Sequence, residues 1–312
     1  SETPCLSLNP GMGILPLQAK YFGTLPNRFG SEDLNVLIAA LPPYEKRGKK
    51  FGFDGFFNVY DQMTEAVAQQ DSQHSNEANI IYLNAIVDVK SAYMQGVLAH
   101  ELNHLITFSR HQAELPSWIN EMLGEIAMEM TGFYTDDKHV QSYRSDPSVA
   151  VAGDGYNIKY GALATFGEYL FSSFSLDKIS KMTRWKNRNS DSALEFVAEA
   201  LETNWNSLFE NYVPYLWNSP TTSKFGTAPV KVLFLGSGIN FIKIQSTGVS
   251  YIKSDKSVSA NLRNIPTHCI LSKISIRQKN VDKDTTAVWI ESDPPCGGSD
   301  NSSGVFTLEI SP

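Results

Sequence analysis

The sequence has few cysteines and no long hydrophobic segment. Its 312 residues include three cysteines, Cys5, Cys269 and Cys296, and an odd number does not close a disulfide framework. Cys269 and Cys296 lie in one β-rich region, where a disulfide and two buried thiols are both open interpretations. No apolar run reaches the roughly 18–20 residues that a membrane-spanning helix needs. We therefore expect no transmembrane segment.

Positive charge is also scarce. The chain has 26 Lys and Arg against 33 Asp and Glu, which gives a net charge of −7, and its basic residues are scattered. This pattern argues against nucleic acid as a main partner. The chain is 42% hydrophobic and 11% aromatic, which excludes a disordered chain and allows one large or two ordinary domains. It begins SETPCLSLNP, without Met or a signal peptide, and we interpret it as a mature or trimmed form; a removed export signal is an open interpretation.

The sequence changes character near residue 220. Beyond it, runs rich in Val, Ile, Phe and Thr alternate with turn residues and predict six strands at hairpin spacing. They are VKVLFLG, NFIKIQS, SYIKSD, CILSKISIRQ, TAVWIES and GVFTLEIS. Residues 217–229 have the composition of a linker. We therefore expect a first domain over residues 1–222 and a small all-β, sandwich-like domain over residues 223–312.

The first 222 residues are expected to combine a small mixed sheet with a mainly helical second half. DLNVLIAALP and EANIIYLNAIVD predict strands. Helical periodicity follows in four further segments: SAYMQGVLAHELNHLITFSRH, LPSWINEMLGEIAMEMTG, YGALATFGEYLFSSF and SALEFVAEALETNWNSLFENYVPYLW. The fold class is therefore α+β.

The segment AHELNHLITF carries the clearest chemical signal. On a helix, His100 and His104 lie on one face, one turn apart, so both imidazoles can bind one zinc ion at about 2.0–2.1 Å. Glu101 is rotated by about 100° from His100, where it can reach a zinc-bound water and act as general base. The alternative is that these are ordinary helix residues. The apolar flanks MQGVLA and LITF favour a buried zinc helix.

A catalytic zinc usually has three protein ligands and one open position. The continuation H-x-x-G-x-x-H is absent, and His111 is expected to be a surface histidine at the end of the helix. Glu121 and Glu125 lie one turn apart on the next helix, which can pack antiparallel against the first. We expect Glu121 to be the third ligand and Glu125 to accept the other ring N–H of His100. The alternative is a solvated acidic face.

Four segments in this order resemble a known family: GFFNVYDQM, SNEANIIYLN, VLAHELNHLITF and LPSWINEMLGE. HELNH followed by WINE is similar to the gluzincin arrangement, in which the Glu of W-[LI]-N-E binds zinc. Over residues 30–175 the chain resembles the hyicolysin-type bacterial neutral zinc metalloproteases. One departure is Met122, where that family commonly has Gly; here Gly124 follows two residues later. The resemblance implies a zincin-like fold and a secreted or cell-surface location.

The resemblance also assigns residues to substrate binding and to the oxyanion. In gluzincins the strand before the zinc helix is an edge strand that pairs with the peptide, which implies contacts from Asn76, Glu77, Ala78 and Asn79; an ordinary sheet strand is the alternative. The helix YGALATFGEYL resembles the one that carries a catalytic tyrosine in related aminopeptidases. It implies Tyr160 as oxyanion donor, with Tyr156 as the competing choice.

These features together predict a zinc endopeptidase that cleaves protein or peptide substrates. Two alternatives stay open: a surface-binding or adhesion protein with a non-catalytic zinc, and an aminopeptidase-like gluzincin, for which Glu77 in SNEA would hold the free amino terminus. The C-terminal β domain is expected to be accessory, binding substrate or a surface. The loops DTTA and SDNSSG leave a Ca²⁺ site open, although Asp-rich loops are usually turns. Nothing in the sequence constrains the oligomeric state.

Overall fold

The computed structural model describes residues 7–46, 49–110, 115–133, 137–152, 159–184, 193–218, 229–235, 240–266, 273–293 and 305–311. The fold is mixed α+β. Within the described ranges the helices are α1 Ile14–Tyr21, α2 Glu65–Ala68, α3 Ala92–Phe108, α4 Ser117–Thr131, α5 Asp137–Ser145, α6 Tyr160–Ser173, α7 Leu176–Ile179, α8 Ala193–Ala200 and α9 Trp205–Asn218. The strands are β1 Asn35–Ala39, β2 Tyr44–Lys46, β3 Lys49–Phe51, β4 Gly55–Phe56, β5 Ile80–Asn84, β6 Val232–Phe234, β7 Asn240–Gln245, β8 Val249–Lys253, β9 Ser259–Asn264, β10 Lys273–Asp282, β11 Thr285–Asp293 and β12 Val305–Ser311.

The chain divides into two compact units. The first is formed by Ser1–Leu115, Leu123–Thr135 and Thr183–Lys186, and the second by Pro116–Met122, Asp136–Met182 and Asn187–Pro312. Helix α4 is one continuous helix whose first turns are grouped with the second unit and whose remainder belongs to the first. No helix of the described ranges is long and apolar enough to span a membrane.

The first unit contains a three-stranded mixed sheet in the order β1-β5-β4. β1 is parallel to β5, and the two-residue β4 is antiparallel to it. β5, the strand before α3, is therefore the middle strand of this sheet, so the expectation that it is an edge strand was wrong. The alternation within EANIIYLN could not reveal this, because both of its partners come from distant parts of the chain. β4 is the edge strand beside α3, since a Cβ on Gly55 would lie 2.6 Å from Val97 Cγ1.

Helix α3 is held in place by its cap and by α1. The Ser91 hydroxyl accepts a hydrogen bond from the Met94 N–H, which satisfies one free donor of the first turn. On another side of the helix, the buried Gln18 of α1 donates to the Ala99 carbonyl at 2.7 Å and accepts from the Asn103 amide at 3.2 Å. These bonds leave little freedom for α3 to rotate about its axis.

The second unit combines helices with two β-sheets. The sheets have strand orders β10-β11-β8-β6 and β7-β12-β9. One hydrophobic cluster draws on both sheets: Ile244, Ile252, Val288, Ile290, Phe306, Leu308 and Ile310. Two sheets that share a core in this way have the arrangement of a β-sandwich. Six strands were expected after residue 222, and the described residues form seven. The strand that was missed is β9, whose inward residues Ala260 and Leu262 form only a short alternation with polar neighbours.

Hydrogen bonds within the second unit connect these strands to the helices. The buried Tyr251 hydroxyl donates to the Val213 carbonyl of α9 at 2.6 Å. The Lys231 amide donates to the Arg144 carbonyl of α5 at 2.8 Å. The strands and these helices therefore belong to one compact unit. The domain boundary expected near residue 222 lies outside the described residues, and the division at that point stays a prediction.

Candidate metal centre

The two histidines of the HELNH segment share one buried face of α3. His100 is 7% exposed and His104 9% exposed. Their ring centroids lie 4.6 Å apart with an angle of 85° between the ring planes. The i, i+4 spacing on a helix produces this closeness. The two imidazoles therefore stand side by side, as the spacing predicted.

Glu121 of α4 completes a group of three metal-binding side chains. The ligand atoms of His100, His104 and Glu121 all lie within 4.8 Å of one another. Glu121 is partly buried, whereas both histidines are buried. Two ring nitrogens and one carboxylate form a donor set that suits a divalent transition metal. The three residues predicted as ligands are thus brought together, and they fit a metal ion.

Glu125 lies one turn after Glu121 and contacts the first histidine. Its Oε1 atom is 3.4 Å from Nδ1 of His100, and both side chains are less than 10% exposed. A carboxylate at this atom favours a proton on Nδ1 and leaves Nε2 to bind a metal. Glu125 therefore occupies the position predicted for it.

Gly124, between these two glutamates, is the residue of the site whose role the sequence did not reveal. A Cβ atom at this position would lie 2.6 Å from Cε1 of His100 and 2.7 Å from both of its ring nitrogens. The His100 ring therefore packs directly against the backbone of α4. A glycine inside an otherwise strong helix pattern was the available signal, because it costs about 1 kcal/mol relative to alanine and needs a packing reason.

Glu101 differs from its histidine neighbours in exposure. It is half-buried, whereas His100 and His104 are buried. Its place on α3 turns it away from the ligand face by about 100°. A carboxylate beside the ligands that solvent can still reach is suited to accept a proton from water.

One of the two tyrosines proposed as oxyanion donors, Tyr160, lies within the described residues. Tyr160 is the first residue of α6, is 40% exposed and stacks on His139 with ring centroids 5.9 Å apart. The backbones of α5 and α6 also approach each other closely here, because a Cβ on Gly161 of α6 would lie 1.9 Å from the His139 carbonyl oxygen of α5. Tyr156 lies outside the described residues, as does His111. The assignment of Tyr160 stays a prediction.

The four residues expected to bind substrate make hydrogen bonds that shape the turn before β5. Asn76 donates two hydrogen bonds to Oδ1 of the buried Asp61, one from its backbone N–H at 2.8 Å and one from its side-chain Nδ2 at 2.9 Å. The Ala78 N–H donates to the Asp61 carbonyl. The Asn79 side chain donates to the Pro26 carbonyl at 3.0 Å. These groups stabilise the loop, and their role in substrate binding stays a prediction.

Glu77 has a left-handed backbone conformation with φ of +48°. Its carboxylate accepts a hydrogen bond from the Glu65 N–H at 2.8 Å, at the start of α2. Such a bond satisfies a free donor at a helix N-terminus. The carboxylate that an aminopeptidase would use for the substrate's amino terminus is therefore already engaged by the backbone.

Of the two loops considered for calcium, the one that the structure describes gives no support to a second metal. Asp284 in DTTA contacts the Lys253 ammonium at 3.0 Å, and its other oxygen accepts a hydrogen bond from Thr285. The Lys253 contact lowers the pKa of Asp284. The SDNSSG loop lies outside the described residues, as do Cys5, Cys269 and Cys296.

Comparison with known proteins gives no relative: no protein-family model, no curated protein and no solved structure matches this chain. Function is therefore inferred from the geometry of the site.

Proposed function

We propose that this protein is a zinc-dependent endopeptidase. The observation that carries the proposal is the convergence of His100 and His104 from α3 with Glu121 from α4. A second glutamate, Glu101, follows the first histidine directly and is not needed as a ligand. A purely structural zinc site usually has four Cys or His ligands and has no use for such a base.

The donor set favours zinc over magnesium and calcium. Magnesium and calcium prefer oxygen ligands, whereas imidazole nitrogens combined with one carboxylate are typical of zinc. When bound, zinc would polarise the peptide carbonyl and increase the acidity of water. His100, His104 and Glu121 would hold the ion, and Glu125 would keep the His100 ring in one tautomer.

Glu101 and a tyrosine supply the remaining roles. Glu101 would take a proton from the attacking water and deliver it to the nitrogen of the leaving amine. As the carbonyl oxygen gains charge, the hydroxyl of Tyr160, or of Tyr156, would donate a hydrogen bond to it. This scheme resembles that of the gluzincins. As part of the same proposal, we infer that this chain has a zincin-like fold.

Two features favour cleavage within a chain over removal of single amino-terminal residues. One oxygen of the Glu77 carboxylate accepts a hydrogen bond from the Glu65 N–H, which reduces its capacity to bind a free amino group. β4 is an edge strand that packs on α3 through Gly55 and Val97, and an edge strand binds extended peptides through its main chain. We further propose a secreted or cell-surface bacterial location.

Hydrolysis of casein tests this proposal. The wild type should cleave casein, a zinc chelator should abolish the activity and added zinc should restore it. Glu101→Gln should bind zinc normally but lose activity by about 10²–10⁴-fold, the contribution of a general base. Glu199→Gln, on the exposed side of α8, is the matched control and should be fully active.

Other outcomes separate the alternatives. Zinc binding by a wild type that cleaves neither casein nor short peptides would favour a surface-binding protein with a non-catalytic zinc. Activity confined to peptides with a free amino terminus would favour an aminopeptidase. Full activity of Glu101→Gln would contradict the proposed mechanism.

A further inference from the structure

A groove in the second unit lies where both sheets of the β region present an edge strand. β6 is the last strand of one sheet, and β7 is the first strand of the other. The groove has a volume of about 240 Å³ and is lined by β7, by the segment after α5, by two residues of β8 and by Lys231 and Leu233 at β6. This is below the usual 300–1,000 Å³ of small-molecule pockets. Its size and open strand edges suit a short extended segment better than an enclosed ligand.

The free edge of β7 offers main-chain hydrogen-bonding groups to this groove. β7 is antiparallel to β12, with Gln245 opposite Val305. The Gln245 N–H donates to the Ser148 carbonyl at 2.9 Å, away from β12. In an antiparallel pair the direction alternates along the strand, so the N–H and C=O groups of Phe241 and Lys243 also point away from β12. Both residues line the groove.

Part of this edge is already covered by an extended segment of the same chain. Besides the Ser148 bond, the Ala150 N–H donates to the Gln245 side chain at 2.7 Å, and the Val249 N–H donates to the Pro147 carbonyl. The segment therefore uses the end of the edge near Gln245. Within the described ranges, no strand or backbone hydrogen bond covers this edge at Phe241 and Lys243.

The side chains along the groove indicate the chemistry of that strand. Lys231 and Lys243 are exposed and form no ion pair within the described residues. Asp146 is the acidic residue of the lining, and its Oδ1 accepts a hydrogen bond from Ser148. Phe241 is 65% exposed, so its ring is available to an apolar side chain.

The wider charge distribution agrees with an acidic partner. Residues 223–312 contain ten Lys and Arg and seven Asp and Glu, a formal charge of +3, although the whole chain carries −7. Several basic side chains of the two sheets are paired with acids, including Arg263 with Glu309 and Arg277 with Glu291. The lysines of the groove stand outside such pairs.

We propose that this groove binds an extended, acidic segment of a polypeptide. The segment adds as a strand to the free edge of β7 at Phe241 and Lys243. Its carboxylates lie beside Lys231 and Lys243, and an apolar side chain packs on Phe241. Main-chain pairing gives such a site its affinity, and the side chains give it its preference for acidic segments. The binding does not depend on the proposed peptidase activity.

Fluorescence anisotropy with labelled peptides on the full chain tests this binding. Glu101→Gln is used throughout, so that the probe is not cut. The probe is a blocked (Glu-Val)4 peptide, compared with (Lys-Val)4 and with a (Glu-Val)4 peptide that is N-methylated at alternate residues and cannot pair as a strand. Circular dichroism confirms that each variant is folded.

The groove variant is the double substitution Lys231→Glu with Lys243→Glu. Its control is Lys256→Glu with Lys273→Glu, which makes the same charge change at two exposed lysines outside the groove. The groove variant should lose at least about tenfold in affinity, since two attractive contacts become repulsive. The control should stay within about twofold, and neither the lysine peptide nor the methylated peptide should bind.

Three results would overturn the proposal. Equal losses in the two double variants would show that only overall charge matters. Unchanged binding of the methylated peptide would show that no strand is added. Binding of heparin without binding of (Glu-Val)4 would assign the groove to a polyanion other than a peptide.

Discussion

Gly124→Ala tests how the metal site is built, because Gly124 sets the position of the His100 ring. A methyl group there would lie 2.6–2.7 Å from three ring atoms, whereas ordinary contacts begin at 3.4 Å. The ring must therefore shift by about 0.7–0.8 Å to reach 3.4 Å, and by more to reach the usual 3.5–4.0 Å between carbon atoms. A zinc site tolerates about 0.2 Å in its ligand distances. The shift also disturbs the contact between His100 and Glu125.

We expect Gly124→Ala to weaken zinc binding by about 100-fold, or ~2.7 kcal/mol, at the upper end of what disturbed ligand orientation costs. The metal-free protein should change less. Overpacking costs about 1–3 kcal/mol, but alanine regains about 1 kcal/mol of helix propensity. A competition titration against a chromophoric zinc chelator measures the affinity, and denaturant unfolding of the metal-free protein measures the stability.

Gly96→Ala is the matched control in α3. Its methyl group would lie 2.5 Å from the Phe133 carbonyl oxygen and 2.9 Å from Met128 Cε, and no atom of His100, His104 or Glu121 is among its three nearest neighbours. It should lower the stability of the metal-free protein at least as much as Gly124→Ala, yet change zinc affinity by less than about threefold once folded. Two results would contradict the role assigned to Gly124. One is equal zinc affinity in the wild type and Gly124→Ala, and the other is an equal loss of zinc affinity in Gly124→Ala and Gly96→Ala.

Three further predictions concern other parts of the molecule. Glu125→Gln should weaken zinc binding by about 10–100-fold in the same titration; an unchanged affinity would remove Glu125 from the site. The Ser75 N–H, His74 and Gln69 hydrogen-bond the Glu65 carboxylate and lower its pKa from 4.5 to about 2, so its stabilisation is complete above pH 4.5 and lost as the pH falls towards 2. Glu65→Gln should thus lower the thermal midpoint at pH 6 but not near pH 2, and a difference that persists at pH 2 would contradict this. Phe306→Ala should cost about 3–5 kcal/mol in denaturant unfolding, because the ring is fully buried in the cluster between the sheets; a cost below about 1 kcal/mol would not fit that packing.

Local spacing was enough to predict the ligand group. His100 and His104 are held together by the geometry of one helix. Glu121 and Glu125 needed one further assumption, that the next helix packs back on the first across a short loop. Both steps depend on neighbours in the sequence, which is why the geometry of these four residues agrees with the prediction.

Features that depend on distant partners were not predictable in the same way. β5 lies between β1, which begins at Asn35, and β4, which begins at Gly55. No pattern within residues 77–88 says which strands flank it, so its placement at the edge was wrong. The role of Gly124 likewise became visible only with the His100 ring in contact.

Polar elements were missed for a related reason. α5 has the mainly polar sequence DKHVQSYRS, but Val140, Tyr143 and Arg144 are buried. The Tyr143 hydroxyl lies 3.2 Å from that of Tyr212 in α9. Burial raises the pKa of both tyrosines. A helix buried through such polar contacts has a weak hydrophobic signature.

Zinc content by elemental analysis is the most direct test of the metal site proposed at His100, His104 and Glu121. The wild type, His104→Ala and Glu121→Ala are each supplied with zinc, freed of excess metal and shown to be folded by circular dichroism. We expect one zinc per wild-type chain and a large loss in both variants, because each removes one of three proposed ligands. A folded wild type without zinc, or variants that retain a full equivalent, would contradict the metal site and the peptidase function proposed from it.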